Sequence, residues 1–201
     1  MRCENLYEYI NILERILSSA YKYSYSMNMV EKEISYSSFF QMIEKEKYGY
    51  NPITTDVEII QKIFNDPIIN LKDVPVYNQC LWAAESYLRI QQETGMTFEA
   101  IFLYIPIKTM YEYFEVFHTM DFSQIVDEFK RLKSLETILS ILRSNYRYSL
   151  SYIANKTGIS YDSLFSYKQR RRDIKKMNAG EAAKLAMFLR VRIETLLELS
   201  I

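Results

Sequence analysis

Apolar residues recur every three to four positions along most of this chain. From Glu4 to Tyr21 that spacing predicts a long amphipathic helix. Leu135, Ile138, Leu139 and Leu142 stand at i, i+3, i+4 and i+7 and predict another, which Ser144-Asn145 can end. Ser149 then reads as the N-cap of a helix over Leu150 to Lys156, with Ile153 and Ala154 turned inward. Gly158 follows at a turn, where a positive φ costs glycine nothing. Ser160 caps the next helix, in which Leu164 is spaced to pack inward while Tyr161, Asp162, Ser163 and Ser166 project elsewhere. Two closing helices are predicted at Gly180 to Arg190 and Ile193 to Leu199. Strand-like alternation is nearly absent, and with Gly 4 and Pro 4 the chain has few helix breakers. The expected fold class is all-α.

The pattern repeats. Ile90 to Tyr104 (IQQETGMTFEAIFLY) stands 63 residues before Ile153 to Tyr167 (IANKTGISYDSLFSY), with Ile, Thr, Gly, Phe and Tyr identical. A third copy aligns at a separation of 125, pairing Tyr21 to Ser24 with Tyr146 to Ser149 and Ile34 to Phe40 with Ile159 to Phe165. The organisation expected is a helical unit over 1–75, a second over 76–129 and a third over 130–201. Asp73-Val74-Pro75 makes the first boundary, since proline disfavours helix before it. Lys130 to Ser134 makes the second.

Composition sharpens this picture through charge. The net charge of zero hides a polarised chain: residues 130–201 hold 15 Lys+Arg against 6 Asp+Glu, and residues 1–129 hold 10 against 19. A basic C-terminal module carried by an acidic remainder points to a polyanionic partner. The longest apolar run, Ile101 to Ile107, is too short to span a bilayer, and the N-terminus lacks a secretory apolar segment, so a cytoplasmic protein is expected. Cys3 and Cys80 have neither CxxC spacing nor a histidine cluster beside them; no disulfide, metal site or cofactor is expected. An enzyme is not expected either, because His118 is the only histidine and no Gly-rich phosphate loop is present. The Tyr 18 and Phe 11 content reads as core.

The helix at Ser160 ends near the basic cluster Lys168-Gln169-Arg170-Arg171-Arg172. A helix of this kind fits the DNA major groove, where side chains near its N-terminus reach base edges and basic residues leaving the groove meet phosphates. The run SLSYIANKTGIS, then LFSYKQRRRDI, then AAKLAMFLRVRIETLLEL, about a third of the chain, resembles the Cro/CI-type (XRE, lambda-repressor-like) helix-turn-helix family. That resemblance implies a bundle of about five helices that binds duplex DNA, usually as a dimer, with Ser160 through about Lys168 as recognition helix. It implies base-facing roles for Ser160, Tyr161, Asp162 and Ser166, and phosphate contacts from Ser149, Lys168, Gln169, Arg170, Arg171, Arg172 and Lys175. A sequence-specific transcriptional regulator, a repressor by family analogy, is the expectation; the alternative is a protein-interaction adaptor whose basic cluster meets an acidic partner.

The upstream units diverge. The first has Glu31-Lys32-Glu33 where the turn glycine would stand, and the second places Phe98, Glu99, Phe102 and Leu103 on the would-be recognition face. The second is expected to pack internally or to supply a dimer or partner surface. One small reader makes few phosphate contacts, so a homodimer is expected to supply more.

Overall fold

The N-terminal amphipathic run forms α1 (Cys3–Lys22), which buries Ile10, Leu13, Ile16, Leu17 and Ala20 on one face. That face lies along α4 (Asn78–Thr94), where Ala83 and Ala84 are small enough for the two backbones to approach closely. Each fully buried Leu or Ile of this pair contributes about 1.5–3 kcal/mol. In the computed structural model, which describes residues 3–45, 61 and 77–200, the fold is all-α, with twelve α-helices and no strand among the described residues. The rest of the N-terminal part comprises α2 (Met27–Tyr36) and α3 (Ser38–Glu44); α5 (Phe98–Tyr104), α6 (Ile107–Phe117) and α7 (Ser123–Leu135) follow α4. The last five are α8 (Ile138–Asn145), α9 (Leu150–Thr157), α10 (Tyr161–Lys168), α11 (Ala179–Leu189) and α12 (Ile193–Leu196), with a 3₁₀ turn at Ile174–Lys176. No described helix is long and apolar enough to cross a membrane.

Helix α5 is the hub. Phe98, Glu99, Ala100, Ile101, Phe102 and Tyr104 are all buried, and the helix packs on α2, α4, α7, α8 and α12. A relay of aromatic pairs runs into it: Tyr9 on Phe39, Phe39 on Phe40, Phe40 on Phe98, Phe98 on Phe102 and Phe102 on Tyr87, with centroids 4.9–6.2 Å apart. Much of the aromatic content is therefore core.

The same turn occurs twice in atomic detail. Thr94 donates to the Ile90 carbonyl and accepts from Met96 N–H, while Thr157 donates to Ile153 and accepts from Ile159. Gly95 and Gly158 follow in the left-handed region, at φ 65° and 73°, and Thr97 and Ser160 cap the next helices. At the N-terminal end the equivalence is with Tyr23-Ser24-Tyr25-Ser26. Its amides repeat the bonds made by Tyr146, Arg147 and Tyr148, and both Ser24 and Arg147 sit at φ 55°. The separation there is 123 residues, not the 125 suggested by the Tyr-x-Tyr-Ser match, because helix ends and caps, rather than identities, set the register. Without a glycine, α2 runs on through Ser35 and Tyr36, two residues past the point equivalent to the end of α9 at Thr157.

Two boundaries differ from expectation. Lys130 to Ser134 lies inside α7, and Leu135 ends that helix, 65% exposed, instead of opening the next one. Thr137 interrupts the apolar periodicity by capping α8, accepting from Ser140 N–H at 3.2 Å. The final helix stops at Leu196, short of Leu199. Asp73-Val74-Pro75 lies outside the described residues.

The segments are locked by carboxylates that reach across the fold. An N-cap side chain takes the amide of the second or third helical residue and leaves the first without a partner. Here remote glutamates take it: Glu44 accepts from Phe98 N–H at 2.6 Å, Glu31 from Ile107 N–H at 2.7 Å and Glu198 from Ile138 N–H at 3.1 Å. Each negative charge also meets the positive end of a helix dipole. Glu44, with no exposed surface, further accepts two bonds of 2.8 Å from the Arg192 guanidinium. Glu99 accepts from Arg192 N–H at 3.0 Å and from the Tyr36 hydroxyl at 3.0 Å. Thr97 and Thr195 share a buried hydrogen bond of 2.8 Å.

Glu31 makes a pH signature. Burial pushes its carboxyl from the ordinary 4.5 up to about 7, with the Ile107 N–H bond opposing the rise. The folded state then holds this proton more tightly than the unfolded chain, so the group's stabilising contribution is full below pH about 4.5 and lost as pH rises through about 7. Urea midpoints measured from about pH 5 to about pH 8 should fall for this reason. In Glu31→Gln that component should vanish; an unchanged profile would remove Glu31 as its source.

Candidate nucleic-acid interface

Two short helices and their turn carry the candidate surface. Ser149 caps α9 by accepting from Tyr152 N–H at 3.0 Å, and Ile153 and Thr157 are buried while Ala154 is half-buried beneath. The helix stops at Gly158. A Cβ built there meets nothing within 4 Å, so Gly158→Ala should cost only the left-handed backbone penalty, about 1–2 kcal/mol. Chemical denaturation should show that loss, with Gly158→Asn milder; a much larger loss would mean that packing also depends on this glycine.

Ser160 caps α10, its hydroxyl accepting from Ser163 N–H at 3.2 Å and donating to Ser163 Oγ at 2.9 Å. On α10 only Leu164 and Tyr167 are buried, so the helix rests on α8 and α9 by one narrow stripe. Ser160, Tyr161 and Asp162 lie together at its exposed N-terminal end, and the Tyr161 ring stacks over Phe165 with centroids 6.1 Å apart. Ser166 is half-buried a turn further on, its carbonyl accepting from the amides of Arg171 and Arg172 at 2.9 and 3.3 Å.

The basic cluster is not a continuation of the helix, which ends at Lys168 with Gln169 as C-cap. Gln169, Arg171, Arg172 and Lys175 are exposed and Lys168 is half-buried. Arg171 lies over the Phe165 ring at 5.5 Å and Arg172 over the Tyr167 ring at 5.2 Å. Arg170, expected among the phosphate contacts, is committed elsewhere. At φ 53° it reverses the chain, and its guanidinium donates to the carbonyls of Lys133 and Glu136 at the C-terminal end of α7 and pairs with buried Glu198 at 3.4 Å. Unsatisfied carbonyls and the negative end of the helix dipole make that end a natural cation site. Burial pulls the nearby Lys133 ammonium below its ordinary value; Glu198 opposes this, and Lys175 and Arg170 add to it.

Three further cations join the same segment. Arg147, Lys156 and Lys176 are exposed beside Ser149, at the end of α9 and after Lys175. Lys156 was within reach of sequence reasoning, since it stands four residues after Tyr152 and its ammonium lies 5.8 Å from that ring. Arg147 depends on a left-handed backbone that no local signal announced. Tyr146, Tyr148, Tyr152 and Phe188 form a ring cluster, with centroids 5.1–6.0 Å apart, that ties the α8–α9 turn to α11 and steadies the start of α9.

The upstream counterparts of α10 are occupied. In α5, Phe98 and Glu99 stand where Tyr161 and Asp162 stand in α10, and both are buried. In the N-terminal part the counterpart is α3, whose Phe39, Phe40, Ile43 and Glu44 are buried; just before it, at the end of α2, Ser35 is buried and donates to the Glu31 carbonyl, while Tyr36 donates to Glu99 and to the Arg190 carbonyl at 3.3 Å. His118 is exposed, with Nδ1 2.7 Å from the Phe114 carbonyl and its ring on Phe114. Cys80 is buried and unbridged, and no cluster of three metal-ligating side chains occurs among the described residues.

Comparison of the chain with models of known protein families, with curated proteins and with solved structures finds no match. The class established by the structure is an all-α protein.

Proposed function

We propose that this chain is a duplex-DNA-binding transcriptional regulator of lambda-repressor-like design, in which α8 to α12 form the DNA-binding domain and α10 is the recognition helix. The observation that carries the reading is the outward face of α10. Its N-terminal turn is exposed and the basic residues Arg171, Arg172, Lys175 and Lys176 gather just beyond its end. In the equivalent helix α5 every residue but Leu103 is buried. One helix turned outward over a basic arc suits a major groove, with Ser160, Tyr161 and Asp162 toward base edges and Ser149 and the basic arc toward phosphates. Asp162 favours a cytosine amino group as its donor. The two upstream helical units are read as related copies, now given to packing.

A single reader binds nonspecific duplex at about 10⁻⁴–10⁻⁶ M, so a homodimer on a two-fold site supplies the remaining contacts. Repression follows if that site overlaps a promoter. Selection from random duplex DNA, followed by sizing of the complex, should return a preferred sequence with affinity falling steeply as salt rises. Tyr161→Ala should change the selected sequence while leaving nonspecific binding in place. If the full chain retains no duplex at low salt, the proposal fails and an adaptor that presents the basic arc to an acidic protein takes its place.

A further inference from the structure

The helices around α5 do not close completely against one another. Between α2, the α5–α6 junction, the end of α8 and the α11–α12 turn lies an open cleft of about 720 Å³. Small-molecule sites commonly span roughly 300–1,000 Å³ and combine apolar walls with a few placed polar groups. Half-buried Leu103 and Val191 give this cleft apolar surface, and exposed Tyr36 and Tyr146 give it aromatic rings.

Its carboxylates are not equivalent. Both oxygens of Glu99 are engaged, one by Tyr36 and the other by Arg192 N–H. Glu31 uses Oε1 for Ile107 N–H, and Oε2 has no donor among the described residues. The cations lining the cleft, Lys32 and Arg190, are exposed, and neither forms an ion pair with Glu31 among the described residues. A half-buried carboxylate whose second oxygen accepts from no described group, beside aromatic and apolar walls, suits a donor of opposite charge on an apolar body.

We infer that the cleft binds a small aromatic primary amine, its ammonium donating to Glu31 Oε2 and its ring lying against Leu103, Val191 and Tyr146. An anionic ligand would meet Glu31 and Glu99 together, whereas the exposed Lys32 and Arg190 keep their hydration and oppose a cation only weakly. The Tyr36 and Tyr146 rings that line the same cleft offer faces that attract a cation. The rise in the Glu31 carboxyl's pKa has burial as its largest cause, the behaviour of a carboxylate that lacks a counter-charge. The site spans residues from the N-terminal, central and C-terminal segments, and it stands whether or not α10 reads DNA.

Tyramine is a suitable probe, with p-cresol as its uncharged analogue and 4-hydroxyphenylacetate as its anionic one. Calorimetric titration of the full chain at about pH 8, where Glu31 is ionised, should show saturable tyramine binding at least about tenfold tighter than that of either analogue. Glu31→Gln keeps an oxygen for Ile107 N–H but loses the charge, and should weaken tyramine about tenfold or more. Asn145→Trp, a change at the exposed rim, should obstruct the cleft while leaving Glu31 in place. Circular dichroism confirms that each variant is folded. Equal binding of p-cresol, preference for the anion, no saturation below about 10 mM, or full binding by both folded variants would each overturn the inference.

Discussion

Arg192→Met is expected to destabilise the protein by about 3–5 kcal/mol, because it leaves a fully buried carboxylate without its cation. The guanidinium donates twice to Glu44, at 2.8 Å each, and its Nε stands 3.7 Å from Glu99, an ion pair too long for a hydrogen bond. Glu44 in turn caps α5 through Phe98 N–H, so the loss spreads from α12 to α5 and α3. For a chain of this size, each kcal/mol moves the midpoint by about 2–4 °C, giving a fall of roughly 6–20 °C in a thermal scan. Arg192→Lys should recover little, since an ammonium cannot reproduce the two-pronged contact. Glu44→Gln on top of Arg192→Met should restore part of the loss, with a coupling of about 1–3 kcal/mol. Strict additivity of the two substitutions would show that the pair is not the lock described.

The second large effect concerns the basic arc. Arg171→Ala with Arg172→Ala should lower duplex affinity about 10- to 100-fold and reduce the slope of log K against log salt by about 2, one phosphate contact for each arginine. Both side chains are exposed and touch the fold mainly through ring faces, which are worth about 0.5–1 kcal/mol each, so the variant should stay folded. Arg170→Ala should behave differently. That guanidinium satisfies the C-terminal carbonyls of α7 and pairs with Glu198, so its loss should appear first as lowered stability and only secondarily in DNA binding. Filter retention across a salt series, read beside denaturation midpoints, separates the two. An unaltered salt slope in the double variant would sink the proposed phosphate role.

Local signals in the sequence carried α1, α9 and α10, the caps Ser149 and Ser160, and the turn between α9 and α10. Ser149, Gly158 and Ser160 act on their own neighbours within four residues, so spacing alone is enough to read them. The narrow inward stripe of α10 was legible for the same reason, because Leu164 has no apolar companion in the first turn. Tyr167, three residues on, completes that stripe and is buried.

What lay beyond the sequence were the choices made by residues far apart in the chain. Periodicity continued through Leu135 to Leu142 and hid the break at Thr137, since an apolar stripe persists when two helices meet end to end. The cluster at 168–172 reads as one basic patch, yet a left-handed backbone at Arg170 and the carbonyls of α7 withdraw one of its members. Phe98 and Glu99 occupy the places of Tyr161 and Asp162, and the sequence left that helix either packed or presented to a partner; only the packed neighbours decide for the core. Sequence by itself determined the all-α class, the first helix and most of those in the C-terminal segment, where one helix pair turns and where positive charge accumulates. The tertiary structure alone decided how the other helices are locked together, because their burial, remote capping by Glu31, Glu44 and Glu198, and the cleft beside Glu31 arise from groups that meet only when the chain is folded.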